Sequence, residues 1–271
     1  MGELIDKLRV AESFSKAAST YDSVAALQRN IGHQLLEMLS SHSQDSQSGH
    51  TEPASILDLG CGTGYFTSVL RDRYPDRPLA GLDIASGMLA YARTTRALDN
   101  DVTWICGDAE SLPLKNQSYS LVFSSLAIQW CENSSMLFAE MSRVLSRDGI
   151  ACIATLGPQT LCELRDAWSR IDDYQHVNQF QSLAQLCKAL PDDLELIETE
   201  CEMRVLHYPQ LKELTCELKG IGAHNMNAGQ AKGLTGPARV KAFKAAYELF
   251  RTSEGLLPAS YEVYYLILRK R

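Results

Sequence analysis

The sequence predicts an α/β fold: a mostly parallel seven-stranded sheet with helices on both faces, a helical cap before it and a helical insertion ahead of its last strand. Three observations predict this. Strand and helix signals alternate from residue 54 to residue 156, and such alternation implies crossover units in a parallel sheet. The first strand runs straight into Gly60-Cys61-Gly62-Thr63-Gly64. Acids stand at or near the ends of three successive strands, Asp58, Asp83 and Asp108.

Residues 1–39 read as the cap, because Leu27, Ile31, Leu35 and Met38 recur at spacings of four, four and three, one face of a helix over 24–39. Residues 40–53 are Ser, Gln, His and Gly without periodicity and read as a polar loop. The core occupies 54–156, with strands at Ser55–Gly60, Leu79–Asp83, Val102–Gly107, Tyr119–Ser124 and Gly149–Leu156. Helices fall between them at Tyr65–Tyr74, Ser86–Thr94 and Ser134–Leu145. Residues 157–209 hold helix signals at Thr160–Ile171 and Ser182–Leu190 and a sixth strand around Leu194–His207. Residues 210–258 read as a basic helical lid. Its first helix is carried by Leu211, Leu214, Leu218 and Ile221, its second by Val240, Phe243, Tyr247 and Phe250, with Pro237 near the start. Residues 259–271 close the sheet with Tyr261–Leu268, rich in Tyr, Val, Leu and Ile.

The bulk composition narrows the function. The chain has 271 residues, 45% hydrophobic and 22% charged, as expected of a soluble globular protein. It has no apolar run of transmembrane length and a charged start, so neither a membrane partner nor an export signal is expected. Eight cysteines stand without paired or metal-ligand spacing; they read as reduced thiols of a cytoplasmic protein without a metal site. A net charge of −7 argues against nucleic acid as the main partner. That charge is uneven: Arg204 to Arg251 holds eight basic and three acidic residues.

Glycines at alternate positions let a turn bring its backbone against a bulky ligand. The spacing is GxGxG, not the GxGxxG of nicotinamide-binding folds. Asp58 would repel a phosphate but suits a cation, and S-adenosylmethionine carries both an ammonium and a sulfonium. Asp83 is placed to accept from ribose hydroxyls, and Asp108 from an adenine amino group. Ile84 and Met88 are placed to pack on the adenosine.

Residues 54–156 with these acids, and Glu140-x-x-Arg143-Val144-Leu145 before the fifth strand, resemble Rossmann-like class I S-adenosylmethionine-dependent methyltransferases. Arg143 reads as a strand-orienting residue. Further motifs point to one branch. They are Phe14-x-x-Ala17-Ala18-x-x-Tyr21-Asp22 with Leu27-Gln28-Arg29, Leu126-Ala127-Ile128-Gln129-Trp130, Leu218-Lys219-Gly220-Ile221-Gly222-Ala223 and Ala259-Ser260-Tyr261-Glu262-Val263-Tyr264-Tyr265. Together they resemble the malonyl-acyl-carrier-protein O-methyltransferases of biotin synthesis. The resemblance implies methylation of the free carboxylate of malonyl carried on acyl-carrier protein or coenzyme A, by a cytoplasmic monomer.

It also implies a site. Gln28, Arg29, Asp58, Gly60, Cys61, Gly62, Gly64, Asp83, Ile84, Met88, Asp108, Ala109 and Ser125 would bind the cofactor. Tyr21, Gln129, Trp130 and His224 would face the reacting groups, with Asn225 beside His224. Tyr21 would either donate its hydroxyl to the substrate carboxylate or contact the methionine end of the cofactor. A carboxylate nucleophile is already ionised at pH 7, in keeping with a sequence that shows no convincing His–Asp or Cys–His pair. Phe14, Phe243 and Phe250 read as core. Two other readings stay open: a class I methyltransferase of another small molecule, and a non-catalytic S-adenosylmethionine-binding adaptor.

Overall fold

The computed structural model describes residues 6–42, 54–96, 102–223 and 236–271. Two helices come first, α1 (Lys7–Val24) and α2 (Ala26–His42). The core follows as β1 (Ile56–Leu59), α3 (Tyr65–Arg73), β2 (Leu79–Asp83), α4 (Ser86–Thr95), β3 (Val102–Cys106), β4 (Tyr119–Ser125), α5 (Ser134–Val144) and β5 (Leu145–Leu156). Then come α6 (Cys162–Ser169), α7 (Leu183–Lys188), β6 (Leu194–Tyr208), α8 (Leu211–Gly220), α9 (Pro237–Tyr247) and β7 (Leu257–Lys270).

The strands form one seven-stranded sheet in the order β3-β2-β1-β4-β5-β7-β6. β1 to β5 are parallel, and β7 runs antiparallel between β5 and β6. The order reverses at β1, with β2 on one side and β4 on the other. In such sheets ligands bind beyond the carboxyl ends of the strands at that switch point.

The period-two alternation of a strand sorts its side chains onto two faces. Ile56, Leu79, Phe123, Cys152 and Ala154 pack with Ile31 and Leu35 of α2, Leu70 of α3 and Leu164 of α6. Leu57, Leu59, Leu82, Val122 and Ile153 pack with Leu137, Phe138 and Met141 of α5 and Leu186 of α7. Both faces are covered, as a parallel sheet requires.

The structure departs from the sequence reading at several edges. Within the helical cap, the apolar periodicity marks only the helix over 24–39 and not α1. Its buried stripe is Val10, Ser13, Ala17 and Ala18, too small and polar to stand out until it packs on α4, and Asp6 caps it by accepting from the amides of Leu8 and Arg9. α2 continues through His42, past the expected helix end. The rest of the expected loop, residues 43–53, lies outside the described residues. β5 starts at Leu145 because an irregular stretch, with Asp148 at φ +61°, still pairs with Tyr119. β7 starts at Leu257 rather than Tyr261, because β6 pairs along it to Tyr208.

Candidate active site

Two cavities meet above the carboxyl ends of β1 and β4. The first is lined by Gly60, Gly62, Asp83, Ile84, Met88, Asp108, Ala109 and Ser125, with Lys7, Val10, Phe14 and Tyr21 of α1 over it. The second is walled by Leu156–Leu164, Trp168, His176–Phe180, α8 and Phe243. Phe14, Tyr21, Leu126 and Trp130 line both.

The glycine turn is held from behind. The amides of Gly60 and Cys61 donate to Leu82 O at 2.7 and 3.0 Å. Gly60 has φ +75°, and a Cβ there would fall 2.1 Å from Ala127 Cβ, so only glycine lets the loop after β4 close against the turn. Gly62 has φ +53°, and a Cβ on it would meet nothing within 4 Å. Its amide donates to Asp83 Oδ2 at 2.8 Å, and the Ala85 amide donates to Oδ1 at 2.7 Å. A carboxylate has about four lone-pair sites, so Asp83 keeps acceptor capacity toward the cavity it lines. Burial pushes its pKa up, opposed by these amides.

Asp58 does not line the cavity. It lies on the same face of β1 as Ile56, is 2% exposed, and accepts from Thr67 Oγ1 of α3 at 2.6 Å. Burial pushes its carboxyl up to about 7, with the Thr67 hydrogen bond opposing. Strand alternation therefore turns it beneath the turn, where it ties α3 to β1. Cys61 and Gly64 likewise shape the turn from outside the cavity. Cys61 is buried, its sulfur 3.1 Å from where a Gly81 Cβ would lie, and Gly64 caps α3 at φ +75° beside Trp104.

Asp108 is already engaged. Lys7 Nζ lies 2.6 Å from Asp108 Oδ2 and also pairs with the buried Glu110, whose Oε1 accepts from the Asn133 amide at 2.7 Å. The sequence reading missed Lys7. The available signal was a stripe of Lys7, Val10, Phe14, Ala17 and Tyr21 at alternating spacings of three and four. The other end of α1 is fastened too. Asp22 accepts from Thr63 Oγ1 at 2.7 Å and pairs with Arg96, whose Nε donates to Thr63 O at 2.8 Å.

Tyr21 stands where the cavities meet. Burial and the charges of Asp83 and Asp22 push its hydroxyl well above the ordinary tyrosine value, with Arg29 opposing, so it is a neutral donor. Trp130 packs edge-on against Phe14, ring centres 5.3 Å apart; Phe14 thus belongs to the cavity wall and not simply to the core. Gln129 lines the second cavity, but its amide donates to Leu126 O at 2.7 Å and accepts from Thr155 at 3.3 Å. Gln28 also lines the second cavity, where its buried Oε1 has no hydrogen-bond partner. Arg29 lines neither. It donates to Asp22 O at 2.6 Å and lies over the Tyr65 ring. His224 and Asn225 lie outside the described residues.

A His–Asp pair is present after all. His176 Nε2 sits 2.8 Å from Asp172 Oδ1, and Asp172 also pairs with Arg239. Burial would raise the Asp172 carboxyl, but donors from His176, Arg239 and the Tyr174 amide outweigh it and hold it low. The imidazole stacks on Trp168 at 3.8 Å, and Trp168 stacks on Phe243 at 4.2 Å. The pair spans 172–176 and α9, a proximity that sequence spacing to Arg239 does not reveal. Arg143 of α5 bonds Glu140, Leu112 O and Leu114 O, so it ties α5 to the segment that precedes β4.

The cavities differ in charge. The first holds Asp83 and Asp108, with Lys7 offset by Asp108 and Glu110. Among the described residues that line the second there is no Asp or Glu, while Lys219 and His176 are present.

A methyltransferase-domain family profile matches residues 57–153. The malonyl-[acyl-carrier protein] O-methyltransferase of Laribacter hongkongensis is 40% identical, over 96% of this chain and 88% of its own length. That of Serratia marcescens is 38% identical, over 98% and 97%. The chain belongs to the malonyl-[acyl-carrier protein] O-methyltransferase family. The biotin biosynthesis bifunctional protein BioHC of Cellvibrio japonicus is 48% identical over 98% of this chain, but the chain spans only 51% of that relative. Two further bifunctional relatives are spanned to 47%. A solved structure from Bacillus halodurans shares the fold at TM-score 0.61, covering 87% of this chain and 98% of that one at 17% identity.

Proposed function

We propose that this chain transfers the methyl group of S-adenosylmethionine to the free carboxylate of a malonyl thioester, carried on acyl-carrier protein or coenzyme A. The observation that carries the proposal is the contrast between the two cavities: carboxylates line the one at the strand ends, and among the described residues none lines the one beside it. A cationic donor suits the first and an anionic acceptor the second. Family membership supports the same assignment.

The residues present fit the cofactor. Asp83 offers unused acceptor sites for ribose hydroxyls, Gly62 leaves its Cβ position open, and Ile84 and Met88 give an apolar wall. When bound, S-adenosylmethionine supplies a methyl group on a positively charged sulfur. The protein's part is alignment and exclusion of water. A malonyl carboxylate is ionised at pH 7, so no residue has to remove a proton. Tyr21 donates a hydrogen bond at the junction. Gln28, whose buried Oε1 has no hydrogen-bond partner, offers the acceptor thioester arm a hydrogen-bond acceptor in the wall of the second cavity. α1 and α2 serve as the cap, and α8 and α9 as the lid. His176 is held between Trp168 and Asp172 as part of the wall. Among the described residues no helix is long and apolar enough to cross a membrane; we propose a monomer acting in the cytoplasm.

Mass spectrometry of malonyl-carrier protein after incubation with enzyme and cofactor tests the reading. One added methyl, carried on the malonyl group and lost with it when the thioester is cleaved, is expected. A protein that methylates other small acids but leaves the malonyl thioester unchanged contradicts it.

A further inference from the structure

Outside the two cavities, a groove runs between α1 and α8. Among the described residues, Arg9, Lys16 and Lys219 line it, against one acid, Glu12. Glu12 lies 3.6 Å from Lys16, both side chains largely exposed. The floor is tightly fixed. Ser13 Oγ donates to Gly222 O and Thr20 Oγ1 to Gly220 O, each at 3.0 Å. Gly222 has φ +74°, and a Cβ on it would fall 3.1 Å from Ala17 Cβ. Side chains of α1 therefore hold the backbone at the end of α8 beneath a cationic rim, in a chain whose net charge is −7.

Lys219 lines both this groove and the second cavity, so the two adjoin at that residue. We propose that the groove binds the phosphate of the phosphopantetheine arm that carries the acyl group. This rests on the thioester reading above. Such an arm is anionic at both ends, with a free malonyl carboxylate at one and a phosphate ester at the other, joined by an uncharged flexible chain. The cavity whose described lining holds no acid takes the first, and the groove, whose described lining holds three cations against one acid, takes the second. The arm is common to carrier protein and coenzyme A, so the groove serves either source.

Exposed cations pull weakly one at a time and are screened by salt, so the effect is read from all three together. kcat/KM is compared for malonyl-phosphopantetheine and malonyl-pantetheine, in the wild type and in Arg9→Gln/Lys16→Gln/Lys219→Gln. The ratio cancels any loss of folded protein. Wild type should favour the phosphorylated arm by roughly tenfold at low salt, and the triple variant should bring the ratio near one. A wild-type ratio near one, or a ratio kept by the variant, overturns the proposal. Malonyl-carrier protein and malonyl-coenzyme A are run alongside. Losses in both are expected, and a loss confined to the carrier protein would place the groove under the carrier's own surface and overturn the arm assignment. NMR titration with 4′-phosphopantetheine against pantetheine needs no turnover. Tighter binding of the phosphorylated form upholds the groove even if no malonyl thioester is methylated, which would then count against the proposed function alone.

Discussion

The first cavity is made at the carboxyl ends of β1 to β4, and the second almost wholly by segments outside the parallel core, from Leu156 to Phe180 and from α8 and α9. The first presents acids held by backbone amides. Among its described residues the second presents aromatic rings, neutral amides, Lys219 and His176. The difference teaches how one chain brings together two ions of opposite charge. The strand ends supply fixed negative groups for a cation, and the lid supplies an enclosure that leaves a carboxylate without a like charge to repel it.

The largest expected effect lies under the first cavity. Asp58 is buried with its carboxyl near 7, while an unfolded aspartate titrates near 4. Between those values the folded state holds a proton that the unfolded state has lost, so stability falls as pH rises from about 4 to about 7 and is flat above. The drop is up to about 4 kcal/mol. Asp58→Asn should abolish it, and urea midpoints at pH 5 and pH 8 check this. An unchanged gap in the variant would place the slope elsewhere.

Next comes the acid that faces the cofactor. Asp83→Ala should weaken S-adenosylmethionine binding by about 1.5–3 kcal/mol, read by titration calorimetry on folded protein. Unaltered affinity would leave Asp83 only the task of holding Gly62 and Ala85. The smallest of the three changes tests the second cavity. Gln28→Glu puts a carboxylate into a lining that has none among the described residues and should lower kcat/KM for the malonyl thioester roughly tenfold by like-charge repulsion. Cofactor affinity should hold. If it drops instead, Gln28 belongs with the cofactor, as the sequence reading had it.

The two cavities were not equally legible. Gly60, Gly62, Asp83, Ile84, Met88, Asp108, Ala109 and Ser125 all line one cavity because parallel strands end on one edge, and sequence position relative to a strand end says which edge that is. Alternation along β1 says which way Asp58 turns, and that step puts it beneath the turn. The second cavity needs contacts between segments far apart in the chain: Asp172 with Arg239, Trp168 with Phe243, Phe14 with Trp130. No local pattern encodes these. α1 falls between the two cases. Its stripe from Lys7 to Tyr21 is regular, but serine and alanine dilute it, and Lys7 reads as solvated until Asp108 and Glu110 are placed beside it.

The central claim is that a carboxylate already ionised receives the methyl group without a base. Single-turnover methyl transfer to malonyl-carrier protein, followed from pH 6 to pH 9 with saturating cofactor, tests it most directly. A flat profile is predicted, unchanged in Asp58→Asn and kept in His176→Gln. A rate that climbs with pH across that range, and loses the climb in His176→Gln, would make the His176–Asp172 pair a general base and contradict the account.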